Sequence, residues 1–248
     1  MKALILAAGR GKRLSGITDE CSKCMIPLSG KPILEYTFER LSDIDIIDQY
    51  IVVVGYKAET IIDYFGGFYK DKEIVYVYQK SLSGIVDAIS CASESIGNSD
   101  FFLNLGDEYM LKPRLIKMID EFYSCGCDSL IGTINVTDKD LIKKTYSVLM
   151  DSQGYVYHLR EKPESPYNFL MGTGSILFRN DLLKYLNSTP VNPIRGEKEL
   201  VDFIMRAVED NKKVRCFDVA DGFVNLNTPE DFQNAIYYAD SIQSKTQV

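Results

Sequence analysis

The stretch KALILAAGRGKRL, residues 2–14, decides the fold of this chain of 248 residues. Residues 2–8 form a continuous rather than alternating apolar run, which is typical of a strand buried on both faces of a parallel sheet. Gly9 and Gly11 follow directly, together with three basic residues. Glycines at this point let backbone N–H groups approach a ligand at the sheet edge where open α/β folds bind. The opening therefore predicts an α/β protein with a ligand site after its first strand.

The same pattern continues along the chain, because apolar runs alternate with segments of helical periodicity. Up to residue 136 it predicts strands at 2–8, 49–55, 73–79, 100–105 and 129–136, and helices at 31–42 (with Pro32 in the first turn), 58–65, 85–96 and 111–123. Right-handed crossovers between such strands give a mainly parallel, Rossmann-like sheet covered by helices on both faces.

After about residue 145 the pattern changes. It predicts a hairpin (146–150 and 155–159), a strand at 171–178, a helix at 198–211, and short strands at 214–219 and 222–226. A last helix opens with Thr228 as N-cap and Pro229 at its first position. We therefore predict a mixed sheet with a small β-rich part.

Composition and charge narrow the class of protein. The chain is 46% hydrophobic and 25% charged, as in ordinary globular proteins, and its net charge of −7 argues against nucleic-acid binding. Residues 1–31 nevertheless carry six basic side chains against two acidic ones, a local charge of +4 that suits a compact polyanion such as a nucleoside triphosphate. No export signal or apolar run of about 20 residues is present, so we predict no membrane association and a cytoplasmic location.

The cysteines and the glycine loop exclude several site types. Six cysteines without an export signal are predicted to be free thiols. The C-x-C spacing of Cys125 and Cys127 is not usual for zinc ligands. The loop lacks the third glycine of a dinucleotide fingerprint, because position 14 is Leu14. A Walker A loop is excluded as well, since Lys12 precedes Arg13 and not Ser or Thr.

A family resemblance covers nearly the whole chain. The chain resembles the sugar-phosphate nucleotidyltransferases (nucleotidylyl pyrophosphorylases), among them the glucose-1-phosphate thymidylyltransferases and uridylyltransferases. Three motifs of that family, L-A-A-G-x-G-x-R-L, P-K and P-x-x-G-K-P, correspond here to Leu6–Leu14, Ser22-Lys23 and Pro27–Pro32. Ser22 departs from the family's proline. Further matches are Gln79 with Gly84, Gly106-Asp107, Glu161-Lys162-Pro163, Gly196–Asp202 and Asn225–Asp231.

The resemblance implies the nucleotide-diphospho-sugar transferase fold and functional residues position by position. It implies a single domain over residues 1–248, with a nucleotide-binding part at about 1–110 and a sugar-phosphate-binding part at about 111–230. Implied catalytic residues are Arg13 and Lys23. Implied nucleotide-binding residues are Leu6, Ala8, Gly9, Gly11, Gln79 and Gly84. Implied sugar-phosphate-binding residues are Glu161, Lys162 and Gly174, and Asp107 and Asn225 are the implied Mg²⁺ ligands. Asn225 stands where many members carry aspartate, which lowers the negative charge of the metal site.

The implied reaction joins a nucleoside triphosphate to a sugar 1-phosphate with release of pyrophosphate. The attacking phosphate is mostly dianionic near neutral pH, since its second pKa is about 6, so no general base is needed. The single histidine, His158, is predicted to be an ordinary strand residue. The amide of Gln79 can bond uracil, thymine, cytosine or guanine, and the family favours a pyrimidine. A cytidylyltransferase for a non-sugar phosphate, a non-catalytic nucleotide or sugar-phosphate sensor, and assembly as a homo-oligomer remain open.

Overall fold

The apolar run that opens the chain forms the central strand of a mixed sheet. The structure, a computed structural model, describes residues 1–14, 18–81 and 83–246. The strands in these ranges are β1 (Lys2–Leu6), β2 (Pro27–Leu28), β3 (Lys31–Pro32), β4 (Gln49–Val54), β5 (Phe68–Tyr69), β6 (Lys72–Tyr78), β7 (Phe101–Leu105), β8 (Glu108–Leu111), β9 (Ser129–Asn135), β10 (Tyr146–Met150), β11 (Val156–Glu161), β12 (Leu170–Phe178), β13 (Val214–Asp218) and β14 (Gly222–Asn225). The α-helices are α1 (Ile33–Ser42), α2 (Ala58–Phe65), α3 (Ile85–Ile96), α4 (Leu115–Cys125), α5 (Leu200–Glu209) and α6 (Pro229–Thr246).

The main sheet is parallel at its centre and antiparallel toward one side. Within the described ranges its strand order is β11-β10-β12-β7-β1-β4-β6-β5, and β9 pairs with both β12 and β13. Strand β1 runs parallel to β4 and β7, and β4 runs parallel to β6. Strand β12 pairs antiparallel with β7, β9 and β10. The predicted mixed, mainly parallel sheet is confirmed.

Helices cover both faces of this sheet because the side chains of each strand alternate between two cores. Ala3 and Ile5 lie in one core, with buried residues of α1, α2 and α4. Leu4 and Leu6 lie in the other core, with buried residues of α3 and α5. Complete burial of a leucine or isoleucine side chain contributes about 1.5–3 kcal/mol. The two-faced covering is confirmed, and it leaves the carboxyl ends of β1 and β7 open at one edge.

Two of the predicted elements are wrong in their placement. The predicted helix 111–123 begins only at Leu115, and Glu108–Leu111 instead forms β8, which pairs antiparallel with β14. Pro113 explains the late start, because proline disfavours helical backbone at the residue before it, and Lys112 has a φ of 48°. Pro32 is the residue before α1 and not part of its first turn.

The second half follows the prediction more closely. Strands β10 and β11 form the predicted hairpin, with Tyr146 opposite Glu161. The start of α6 at Pro229 is confirmed: the Thr228 hydroxyl accepts the Asp231 N–H at 3.2 Å, and the Asp231 carboxylate accepts the Thr228 N–H at 2.9 Å. This reciprocal pair is a capping box.

Among the described residues, no helix combines the length and apolar character that crossing a membrane requires.

Candidate functional site

The residues singled out from the sequence line two adjoining cavities at the carboxyl edge of the sheet. A cavity of about 440 Å³ is lined by Leu6, Ala8, Gly9, Gly11, Lys23, Gln79, Gly84, Asp107, Glu161 and Lys162, among others. A second, of about 220 Å³, shares the last three and adds Arg13, Gly174 and Asn225. The structure therefore brings all of the predicted site positions together in one cleft, of a size that fits small ligands.

The glycine loop after β1 forms the floor of the larger cavity and positions Lys23. Gly11 has a φ of +66°, a conformation that favours glycine. A Cβ there would lie 3.1–3.2 Å from Cβ, Cγ and Cδ of Lys23. The loop backbone thus packs on the stem of the lysine and directs its course. Arg10 lines the same cavity, and its guanidinium lies 5.1 Å from the ring centre of Tyr56.

Ser22, which replaces the proline of the family motif, has a role that proline could not fill. Its hydroxyl accepts the Cys24 N–H at 3.4 Å and caps the short 3-10 helix Lys23–Met25. Its own N–H donates to the Thr60 hydroxyl at 3.2 Å, a bond that proline, lacking an N–H, cannot make. The departure from the motif therefore ties the residue before Lys23 to Thr60 and caps the short helix that Lys23 begins.

The amine of Lys23 is the most enclosed cation of the cleft, with only 5% of the residue exposed. It pairs with the carboxylate of Asp107, which follows β7, and donates to Asn227 Oδ1 at 3.1 Å. The Arg13 Nη2 donates to the same amide oxygen at 3.0 Å. One side chain thus receives both predicted catalytic cations.

Sequence reasoning missed Asn227 as a site residue. Its Nδ2 donates to Asn225 Oδ1 at 2.7 Å, so it connects the two cations with the predicted metal ligand. A signal was present, because Asn227 lies two residues beyond Asn225 in the closing motif and residues two apart share a face of an extended chain.

Asp107 and Asn225 offer oxygen ligands to a cation. Strand β14 places Asn225 opposite Glu108, and the Leu226 N–H donates to the Asp107 carbonyl at 3.0 Å. One carboxylate and one amide oxygen fit Mg²⁺, which binds few protein ligands and completes its shell with water and phosphate. The described residues contain no group of three or more His, Cys, Asp or Glu that could hold a metal ion.

Glu161, Lys162 and Glu199 line both cavities and form, with the neighbouring Arg195, a cluster of alternating charges. Arg195 lies 2.8 Å from Glu199 and 3.4 Å from Glu161, and the Lys162 amine lies 3.3 Å from Glu161. Burial raises the pKa of Glu199, and the charge of Glu161 raises it further. Arg195 and Glu199 were not predicted, although Glu199 belongs to the motif at residues 196–202. The cluster offers both donors and acceptors for a polyhydroxylated ligand that carries a phosphate.

Gly174 lies on β12, where there is no room for a side chain. A Cβ there would lie 2.3 Å from Leu105 Cγ and 2.9 Å from Glu108 Oε1. Its N–H donates to both carboxylate oxygens of Glu108, at 3.1 and 3.2 Å. Burial raises the pKa of Glu108 well above its usual range, and the charge of Asp107 adds to this. The close packing of Leu105 and Glu108 therefore requires glycine at this position, whether or not a ligand is bound.

The remaining reactive side chains lie apart from the reaction centre or are inert. His158 is exposed on β11 and lines neither cavity. Cys24 lines the larger cavity, but burial raises the pKa of its thiol and keeps it protonated. The cysteines are free thiols.

Comparison with known proteins places the chain among enzymes of one family. The sequence model described as nucleotidyl transferase matches residues 2–239. The UTP–glucose-1-phosphate uridylyltransferase AglF of Haloferax volcanii is 28% identical over 236 residues, covering 95% of each protein. The bifunctional protein GlmU of Methanocaldococcus jannaschii is 29% identical over 212 residues, which are 86% of this chain but only 48% of that protein.

Solved structures show the same fold. A UDP-glucose pyrophosphorylase complexed with UDP-glucose superposes with a TM-score of 0.84 at 21% identity over 98% of both chains. The UDP-glucose pyrophosphorylase of Acinetobacter baumannii gives a TM-score of 0.82 at 19% identity, covering 95% of this chain and 91% of the other. Because the family match spans nearly the full sequence and the fold agrees with it, the chain belongs to the nucleotidyl transferase family.

Proposed function

We propose that this chain transfers a nucleotidyl group from a nucleoside triphosphate, preferably a pyrimidine one, to a sugar 1-phosphate. The observation that carries the proposal is that Lys23 and Arg13 converge on Asn227, and Lys23 pairs with Asp107, where two cavities adjoin. Relatives named for UTP and glucose 1-phosphate, and for thymidylyl transfer to glucose 1-phosphate, support the pyrimidine and the sugar.

The chemistry requires positioning and charge neutralisation. An oxygen of the sugar phosphate attacks the α-phosphorus of the triphosphate, and the bond from that phosphorus to the bridging oxygen breaks, so pyrophosphate leaves with the electron pair. No proton has to move, because the attacking phosphate is already ionised. Gly9 and Gly11 offer backbone N–H groups to the β- and γ-phosphates, and Arg13 adds its charge. The amine of Lys23 neutralises charge at the α-phosphate, where the two substrates meet.

The acceptor substrate lies against Glu161 and Lys162, which line both cavities. Lys162 binds the phosphate of the sugar phosphate, and Glu161 accepts hydrogen bonds from sugar hydroxyls. The backbone N–H of Lys162 donates to the Thr145 carbonyl at 2.7 Å, which holds this turn against the end of the hairpin. Fixing the phosphate and the hydroxyls at two points orients the attacking oxygen.

A divalent cation, Mg²⁺, completes the proposed site. Asp107 and Asn225 would hold it, and it would neutralise phosphate oxygens that the cations of the protein do not reach. The amide of Asn227 orients Asn225 for this purpose through its hydrogen bond of 2.7 Å.

The test is pyrophosphate release with each of five nucleoside triphosphates and a panel of sugar 1-phosphates in the presence of Mg²⁺. Lys23→Met is expected to lower turnover by about 10²–10³-fold, as loss of one charge-stabilising donor does elsewhere. Lys117→Met, at an exposed lysine of α4, is the matched control. EDTA is expected to abolish turnover while the thermal unfolding midpoint of the protein stays unchanged.

Four outcomes contradict the proposal or part of it. Near-normal release by Lys23→Met removes that residue from the mechanism, and full turnover in excess EDTA removes the cation. Pyrophosphate formed only with a non-sugar phosphate acceptor identifies the cytidylyltransferase alternative, and nucleotide binding without turnover identifies the sensor.

A further inference from the structure

We propose that Asp87 is a specificity-determining positioning residue that fixes the amide orientation of Gln79 and thereby selects the base. The inference rests on the proposed function for the presence of a nucleotide base in the larger cavity. It concerns a residue of α3 that no motif in the sequence singled out. It also narrows the set of bases, since an amide that could rotate freely would bond uracil, thymine, cytosine or guanine.

Gln79 is held rigidly at the end of β6. Only 6% of the residue is exposed, and its backbone N–H donates to the Val54 carbonyl at 2.8 Å. Its side-chain nitrogen donates to the Gly84 carbonyl at 3.0 Å and to Asp87 Oδ2 at 2.8 Å. A carbonyl and a carboxylate can only accept, so both of them require the NH₂ group of the amide. Rotating the amide by half a turn would lose both bonds and oppose oxygen with oxygen.

Asp87 is itself well placed to impose this orientation. It lies in the first turn of α3, three residues after Gly84, so one short segment supplies both acceptors. The positive end of the helix dipole favours a carboxylate at that position. The bond to Asp87 is charge-assisted and is therefore the stronger of the two. The backbone carbonyl of Gly84 alone leaves the amide less constrained.

The fixed amide leaves its oxygen for the ligand. Gln79 lines the larger cavity, and in the part of the chain that the structure describes no group donates to its Oε1. Once a base covers this oxygen, the oxygen needs an N–H partner on the base. Uracil and thymine carry N3–H on the edge of the ring, and guanine carries N1–H. The equivalent ring nitrogens of cytosine and adenine are acceptors, and these bases offer only the exocyclic amine, one position along the edge.

The test compares bases of equal size. For the wild type we expect kcat/KM for UTP to exceed that for CTP by at least about tenfold, and GTP to exceed ATP in binding, because an unpaired buried acceptor is the larger loss. Asp87→Ala should raise KM for UTP with little change in kcat and bring the UTP/CTP ratio to within about threefold of one. Asp87→Asn, which can still accept through its amide oxygen, should recover most of the ratio. Glu59→Ala, at an exposed acid in the first turn of α2, is the control.

Equal losses for UTP and CTP in Asp87→Ala, or no change in either, overturn the inference, and so does a wild type that prefers CTP. Calorimetric binding of UTP and CTP without acceptor separates this failure from that of the proposed function. A protein that binds UTP more tightly than CTP, loses this preference in Asp87→Ala and yet releases no pyrophosphate refutes the proposed function but supports the role of Asp87. A protein that turns over but shows no preference between UTP and CTP supports the proposed function and refutes the role of Asp87.

Discussion

Replacing Lys23 by methionine is expected to change turnover and cation binding in opposite directions. Without substrate, the Lys23 amine neutralises Asp107, the residue that would bind the divalent cation. Cation binding must therefore break this ion pair before Asp107 can act as a ligand. Methionine keeps the aliphatic stem that packs against Gly11 but removes the competing charge. The variant should bind the cation more tightly and catalyse far less.

The burial of the pair sets the size of the effect. The side chain of Lys23 is 7% exposed and that of Asp107 is 21% exposed. Exposed pairs contribute about 0–1 kcal/mol, and breaking a fully buried pair costs about 3–5 kcal/mol. We expect breaking the Lys23–Asp107 pair to cost about 1–2 kcal/mol, between these limits, because Lys23 is buried and Asp107 is partly exposed. Since 1.4 kcal/mol is a factor of ten, the dissociation constant for the cation should fall by about 5- to 30-fold.

Isothermal titration of the nucleotide-free protein with Mn²⁺ or Mg²⁺ measures the first effect, and pyrophosphate release measures the second. Asp107→Asn is the companion variant and should weaken cation binding. Lys117→Met should change neither quantity. Cation binding that is unchanged or weaker in Lys23→Met would refute the competition between amine and cation, even if turnover falls as expected.

Two further predictions concern the packing beneath the cleft. Gly174→Ala should lower the free energy of unfolding by about 1–3 kcal/mol in urea titrations, because its Cβ would overlap Leu105. Adding Leu105→Ala should recover part of this loss, whereas Gly67→Ala, where a Cβ meets open space, should change stability by less than about 0.5 kcal/mol. The raised pKa of Glu108 means that the folded state keeps its proton above the unfolded-state pKa of about 4.3, so this residue lowers stability as pH rises through that window. Glu108→Gln should therefore gain stability relative to the wild type as the pH rises above about 5, by at most about 1.4 kcal/mol per pH unit, and a difference independent of pH would contradict the buried acid.

The sequence was most informative where local pattern and tertiary role coincide. The strand at residues 2–8 was visible because a strand buried on both faces is continuously apolar, and the start of α6 was visible because its capping box is local. Strand β8 was not, since Glu108–Leu111 becomes extended only through pairing with β14, more than 100 residues later. The local sequence around residues 108–111 carries no signal of a partner strand so far along the chain.

The residues of the candidate site likewise fall into those that the sequence reveals and those that only the fold reveals. Lys23 and Asp107 belong to motifs that are recognisable one by one, but the partners that orient them come from distant segments. Asn227 acts on Lys23 across 204 positions of sequence. Asp87 is close to Gln79 in sequence, yet its role depends on the direction of one side-chain amide, which spacing alone does not reveal.

The strand pair β8–β14 makes the cleft a single unit. The predicted division between a nucleotide-binding and a sugar-phosphate-binding part, at about residue 110, falls inside β8. This strand follows Asp107 directly and pairs with the strand that ends at Asn225. Beyond Asn225, the carboxylate of Asp231 accepts the Asn227 N–H at 3.2 Å and pairs with Lys144 at 3.1 Å, so the loop is held at its far end as well. The proposed metal ligands are therefore brought together by contacts between the two parts, and neither part carries a complete site alone.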